Sequence, residues 1–284
     1  TIMDIMKTSV IIPVLISLFS CSGGEQQKPA DLPYDLTAPQ KIIMSNELAE
    51  ISGVAIKQSS DSIYAIQDED GILFSLLPGS DKVTSRKFGK RGDYEDLTIV
   101  GNTVYILKSN GSIYIVPLNN SVNSNADQVR ELKDLLPQGE YEGMYADESN
   151  NKLYILCKHC KKIGQGSGYS LAIAADGTLS ASETFSLNVD AIQEITKNKK
   201  VNFHPSAITK NKVTNEWFVL SSVNRILIRA SADWTVKNVY PLDPSIFVQP
   251  EGIAFDGKNN LYISNEAGST SNGNILRFNY RPAK

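Results

Sequence analysis

The sequence predicts an all-β chain built as a five-bladed β-propeller of four-stranded antiparallel blades, and three observations carry that expectation. First, a short marker recurs as Ile51-Ser52-Gly53-Val54, Tyr94-Glu95-Asp96-Leu97, Tyr141-Glu142-Gly143-Met144, Pro205-Ser206-Ala207-Ile208 and Pro250-Glu251-Gly252-Ile253. With Ser52, Glu95, Glu142, Ser206 and Glu251 as one repeat position, the gaps are 43, 47, 64 and 45 residues. That period belongs to arrays of supersecondary units that bury their faces against one another. Second, each marker is followed by an apolar run, a polar turn and a β-rich run with an aromatic in register: Tyr64, Tyr105, Tyr154, Phe218 and Tyr262. Third, the last unit runs out of chain after three strands, and a matching fourth run stands at residues 41–44.

Within each unit the elements follow in order. Val/Ile/Tyr-rich runs joined by Gly/Asn/Asp turns read as antiparallel hairpins. The third strands fall at 72–76, 112–116, 169–173, 225–229 and 274–278, and the fourth at 83–88, 179–187 and 236–242, with a weaker one at 128–132. Four strands at this period make a propeller blade. The borrowed strand at 41–44 closes the ring and removes two open sheet edges. The long third gap could house a sixth blade, the alternative count, but 189–195 reads as one or two helical turns, so five are expected.

The first 21 residues read as a processing signal. Met6-Lys7 opens it, an apolar stretch follows, and Leu18-Phe19-Ser20-Cys21 resembles a bacterial lipobox, with Cys21 the lipidated residue. The stretch contains Pro13 and falls short of the about 20 apolar residues of a membrane span. Residues 22–33 read as a flexible tether and 34–284 as the propeller domain. Ser22 rather than an aspartate after the lipidated cysteine points to the outer membrane of a cell envelope.

A net charge of −3, with no basic stripe, excludes nucleic acid as the expected partner. Once Cys21 is set aside, Cys157 and Cys160 remain, and in an oxidising envelope they favour a disulfide. Two histidines cannot furnish a four-ligand zinc site without a second cysteine pair. His204 stands just before a marker, either facing the channel or serving the fold. There is no Gly-x-Ser-x-Gly elbow and no P-loop, and no catalytic residue is assigned.

The acids are more informative. Glu95, Glu142 and Glu251 recur at the mouth of the innermost strand, and Asp68-Glu69 in the first blade matches Asn265-Glu266 in the last. Carboxylates gathered on one axis repel unless something compensates them, so the pattern expects a cationic ligand, a metal or raised pKa values. Oxygen donors there suit Ca²⁺ or Mg²⁺ rather than zinc, with Glu95, Glu142 and Glu251 as ligands. The competing structural reading has each acid accept backbone N–H bonds from the next blade and pin the ring.

The Glu-Gly-Ile/Met and Tyr-Glu-Asp-Leu markers, each with its polar turn and following β-run, resemble the SdiA-regulated, YjiK-like propeller family over about residues 40–280. The resemblance implies a five-bladed propeller in the bacterial envelope. A weaker similarity runs to phytase-like and lactonase-like propellers, whose axial carboxylates hold Ca²⁺; here Ser52 and Ser206 replace the acid in two blades. Three functions follow as expectations. The first is a lipid-anchored, non-catalytic binding module whose acidic mouth (Glu95, Glu142, Glu251, Glu69, Glu266 and His204) captures a small ligand, glycan or envelope protein. The second is a Ca²⁺-dependent phosphoesterase- or lactonase-like hydrolase, and the third a structural envelope protein.

Overall fold

A computed structural model describes residues 31–282 apart from 78, 81, 119–127, 199, 270 and 271. The signal segment, Cys21 and residues 22–30 lie outside the described residues. Five four-stranded antiparallel sheets form five blades. Blade 1 holds β2 (Ile51–Lys57), β3 (Ser62–Gln67), β4 (Ile72–Leu76) and β5 (Val83–Lys87). Blade 2 holds β6 (Tyr94–Val100), β7 (Thr103–Lys108), β8 (Ile113–Pro117) and β9 (Arg130–Leu132). Blade 3 holds β10 (Gly139–Asp147), β11 (Lys152–Cys160), β12 (Ser167–Ile173) and β13 (Leu179–Ser186). Blade 4 holds β14 (Ala207–Asn211), β15 (Glu216–Ser221), β16 (Ile226–Ala230) and β17 (Val236–Pro241). Blade 5 takes β18 (Pro250–Phe255), β19 (Leu261–Asn265) and β20 (Asn274–Phe278), and its outer strand is β1 (Gln40–Ile43). β1 pairs antiparallel with β20, Gln40 opposite Arg277 and Ile43 opposite Asn274, so the ring closes with the N-terminal strand.

The repeat holds to the residue. Tyr64, Tyr105, Tyr154, Phe218 and Tyr262 lie opposite Ala55, Thr98, Tyr145, Thr209 and Ala254, in every case three residues past the marker. Each of these rings plugs the seam between its own blade and the next. Five apolar clusters occupy the five seams, with Tyr64 and Ile106 in one, Tyr105 and Met144 in the next, then Tyr154 with Ile208, Phe218 with Ile253, and Tyr262 with Val54. A blade thus buries both faces only through its neighbours, which is why the array is closed rather than open.

The long third gap is filled by α1 (Val189–Thr196), not by a blade. Asn188 caps it by accepting from the N–H groups of Asp190 and Ala191, Lys197 ends it in the left-handed region, and Ile192 is buried in the seam between blades 3 and 4. No described helix is long and apolar enough to cross a membrane.

The expected tether, residues 22–33, gives way to packed chain by Asp31. Leu32, Tyr34 and Leu36 are buried against Phe218, Phe255 and Phe278 between blades 4 and 5. Tyr34 donates to the Asn259 carbonyl at 2.9 Å, and Arg229 grips the Asp31 carbonyl at 2.7 Å. Composition marked residues 22–33 as linker; within the described part, Leu32 docks together with Tyr34 and Leu36 just beyond it.

Candidate functional site at one end of the channel

The marker residues reach the axis through a repeated irregularity. Tyr94 pairs with Lys108 and Asp96 with Leu107, leaving Glu95 as an extra residue; Glu142 between Tyr141 and Gly143, and Glu251 between Pro250 and Gly252, are extra in the same way. Blade 1 slips one residue between Ile51 and Val54, and in blade 4 Ser206 immediately precedes β14. A β-bulge re-aims a side chain and bends its strand, so blades 1, 2, 3 and 5 send their marker side chains out of the sheet register, and in blade 4 Ser206 stands just ahead of it. On β11 Lys158 is likewise extra, since Glu140 pairs with His159 and Tyr141 with Cys157.

These residues line a cavity of about 430 Å³ together with Asp68, Asp93, Lys158, His204, Ser222, Arg225, Gln249 and Glu266. Counting four residues past each in-register aromatic gives Asp68, Ser109, Lys158, Ser222 and Glu266, and all of these but Ser109 line the cavity. Lys158 Nζ donates to Glu142 at 2.6 Å, and Ser109 and Ser222 stand beside Glu95 and Glu251 and favour their charged forms. Glu95 and Glu142 lie close enough for the Glu142 charge to raise the proton affinity of Glu95.

Six carboxyl groups in this wall face two permanent cations, Lys158 and Arg225. Burial, then the Glu142 and Asp93 charges, push the Glu95 carboxyl up; burial raises Glu142 too, although Lys158 pulls the other way. Burial and the Glu142 charge push Glu251 up to about 7, and burial with Glu50, Glu266 and Glu69 nearby pushes Asp68 up to about 6. Glu266 is raised by burial and then Glu50, and one Asp68 oxygen is buried with no hydrogen-bond partner.

Of the six residues expected at the mouth, Glu95, Glu142, Glu251, Glu266 and His204 are brought together and Glu69 is not. Glu69 is half exposed and pairs with Arg91. Its neighbour Asp68 takes the place, because Asp68, not Glu69, is four residues past Tyr64 as Glu266 is past Tyr262. Lys108 is also absent from the wall and lies over the Tyr94 ring at 5.6 Å. Asp93 and Ser222 are additions that the spacing from the marker or from the aromatic would have found, while Arg225 stands at no repeated offset.

The expected three-glutamate metal site is not assembled: among the described residues no three histidine, cysteine or acidic side chains converge as metal ligands. Lys158 occupies one side of Glu142, and blades 1 and 4 offer serines. Nor are the glutamates the pins between blades. That part falls to Asp96, one residue further on, whose two carboxyl oxygens accept from Leu97 N at 2.8 Å and from Met144 N of the next blade at 2.7 Å. The other blades carry Gly53, Gly143, Ala207 and Gly252 there, because neighbouring inner strands nearly touch. A Cβ on Gly252 would stand 2.8 Å from the Ser52 carbonyl oxygen and 2.9 Å from Val54 N. Ser206 Oγ reaches the Pro250 carbonyl at 3.3 Å and Ser264 Oγ the Ser52 carbonyl at 2.6 Å, pinning two further seams.

Beside the mouth, Cys157 and Cys160 are joined in a disulfide, with Lys158 and His159 between them.

Comparison with solved structures agrees with this architecture. The chain is similar to the glutaminyl cyclase of Myxococcus xanthus (TM-score 0.58, 13% identity, 86% of this chain and 96% of that one). It is also similar to the PQQ-bound aldose sugar dehydrogenase of Streptomyces coelicolor (TM-score 0.53, 12% identity, 85% and 98%). The calcium-binding protein regucalcin of Agrobacterium tumefaciens follows (TM-score 0.51, 8% identity, 85% and 97%). At such identities the likeness is one of fold alone. No curated protein matches the sequence significantly. The model of the SdiA-regulated family, however, matches residues 31–268, from the docked N-terminal segment to the last blade, and the chain belongs to that family.

Proposed function

We propose that this propeller is a non-catalytic binding module, lipid-anchored through Cys21 in the bacterial envelope, that takes a small organic cation at its acidic mouth. The observation that carries the reading is the excess of carboxyl groups over cations around a cavity of about 430 Å³, which lies in the range of small-molecule sites, about 300–1,000 Å³. An ammonium or guanidinium group supplies the positive charge that this wall is short of and a donor for the unpartnered Asp68 oxygen. Calcium-dependent hydrolysis fits less well, because Lys158 already engages Glu142, one of the three expected metal ligands.

The test combines pH with ligand. Glu251 and Asp68 have folded pKa values raised above their ordinary 4.5 and 3.8, so the native state holds extra protons. Stability is therefore greatest below about pH 4.5 as far as these groups are concerned, and declines as pH rises through 6 and 7. Glu251→Gln should flatten that decline and stabilise the protein at pH 8 by on the order of 1–3 kcal/mol. In the parent, 1,4-diaminobutane should raise the melting temperature at pH 8 more than at pH 5, and the variant should lose most of that rise. A flat pH profile, with no response to the diamine, to arginine or to Ca²⁺, would retire the binding site. Anchoring has its own check: Cys21→Ala should appear in the soluble fraction, and a variant still held in the membrane would argue against lipidation.

A further inference from the structure

The chain has two histidines, and the fold brings them together. His159 belongs to β11 of blade 3, and His204 to the segment leading into blade 4. Their ring centroids are 4.8 Å apart, and both line a cavity of about 560 Å³ beside the acidic mouth, walled also by Glu140, the disulfide, Gln165 and Asn202.

Each ring has one nitrogen uncommitted. His159 Nδ1 is 2.9 Å from Glu140 Oε2, the carboxylate–histidine arrangement that fixes a tautomer and leaves Nε2 with its lone pair. His204 Nδ1 is buried without a hydrogen-bond partner. With metal–nitrogen bonds of about 2.0–2.1 Å and about 1.1 Å from nitrogen to ring centre, two imidazoles on one ion at angles of roughly 90–110° set their centroids about 4.5–5.2 Å apart. The observed separation falls inside that interval.

We propose that His159 and His204 form a two-imidazole site for a divalent transition metal, Cu²⁺, Ni²⁺ or Zn²⁺, with Glu140 orienting His159 and water filling the remaining positions. Nitrogen donors select these ions over Ca²⁺ and Mg²⁺, so the site is chemically distinct from the acidic mouth. It does not rest on the function proposed for that mouth. The disulfide keeps both sulfurs out of the donor set, and the ligands are the two rings alone.

The experiment is titration of the folded chain with CuCl₂, NiCl₂ and ZnCl₂ at pH 7.5 without reductant, followed by electron paramagnetic resonance of the Cu²⁺ form. One equivalent should bind, with hyperfine structure from two imidazole nitrogens. His159→Ala and His204→Ala should each weaken binding at least 100-fold, Glu140→Gln should weaken it about 10–100-fold, and lowering the pH to 5.5 should release the metal. The His159 side chain is more than half exposed, so that variant should fold as the parent does, and His204→Gln serves if His204→Ala is unstable. Absence of binding, a spectrum with oxygen donors only, or affinity unchanged in both histidine variants would overturn the assignment.

Discussion

A chain beginning at residue 46 should not fold, whereas one beginning at residue 31 should melt cooperatively at the parent temperature. The longer truncation removes β1, leaving β20 as an open edge, and with it Leu32, Tyr34, Leu36 and Met44, all buried. Fully burying an aliphatic side chain is worth about 1.5–3 kcal/mol, so Leu32, Leu36 and Met44 alone account for about 5–9 kcal/mol. A whole domain has only about 5–15 kcal/mol of net stability. Loss of the closing strand therefore decides whether there is a fold at all. Thermal unfolding by circular dichroism is sufficient to check it, and equal melting temperatures for the two chains would refute the closure argument.

Asp96→Ala should be the most damaging single substitution near the site. It strips the acceptor from two buried backbone N–H groups, Leu97 N and Met144 N, on opposite sides of the seam between blades 2 and 3. An abandoned buried donor costs about 1–3 kcal/mol, so the pair costs about 2–6 kcal/mol. In a domain of this size that lowers the melting temperature by roughly 5–20 °C. Burial pushes the Asp96 carboxyl well above the usual carboxylate range, even though the two N–H groups favour its charged form. Asp96→Asn, which keeps one acceptor oxygen, should accordingly cost less than alanine. If alanine proves as mild as a surface change, Asp96 is not the pin.

The blade count, the closing strand and the seams were legible in the sequence because the markers and the aromatics repeat at fixed offsets. The site was legible only in part. Glu69 was aligned with Glu266 on the likeness of two acidic doublets, when the count from Tyr64 and Tyr262 assigns the place to Asp68. Both residues lie just past the end of β3, where Asp68 lines the cavity and Glu69 is half exposed and paired with Arg91. Asp96 was hidden for a different reason: the residue after the marker is glycine or alanine in the other four blades, and its work there is simply to be small. The meeting of His159 with His204 could not be read, since it depends on how two blades dock.

The bulge at the marker has a consequence for how such a protein diverges. It lifts one side chain out of the pattern that packs the seams in blades 1, 2, 3 and 5, and the position four residues past the in-register aromatic contributes a second. Nine positions, Ser52, Glu95, Glu142 and Glu251 with Asp68, Ser109, Lys158, Ser222 and Glu266, can therefore vary with little effect on the aromatic plugs or the closing strand, whereas Ser206 is tied to its seam. Descendants of one scaffold can exchange acid for serine or lysine at these places and change what the mouth attracts while the blades stay as they are. Selection on ligand and selection on foldability act here on largely separate sets of residues.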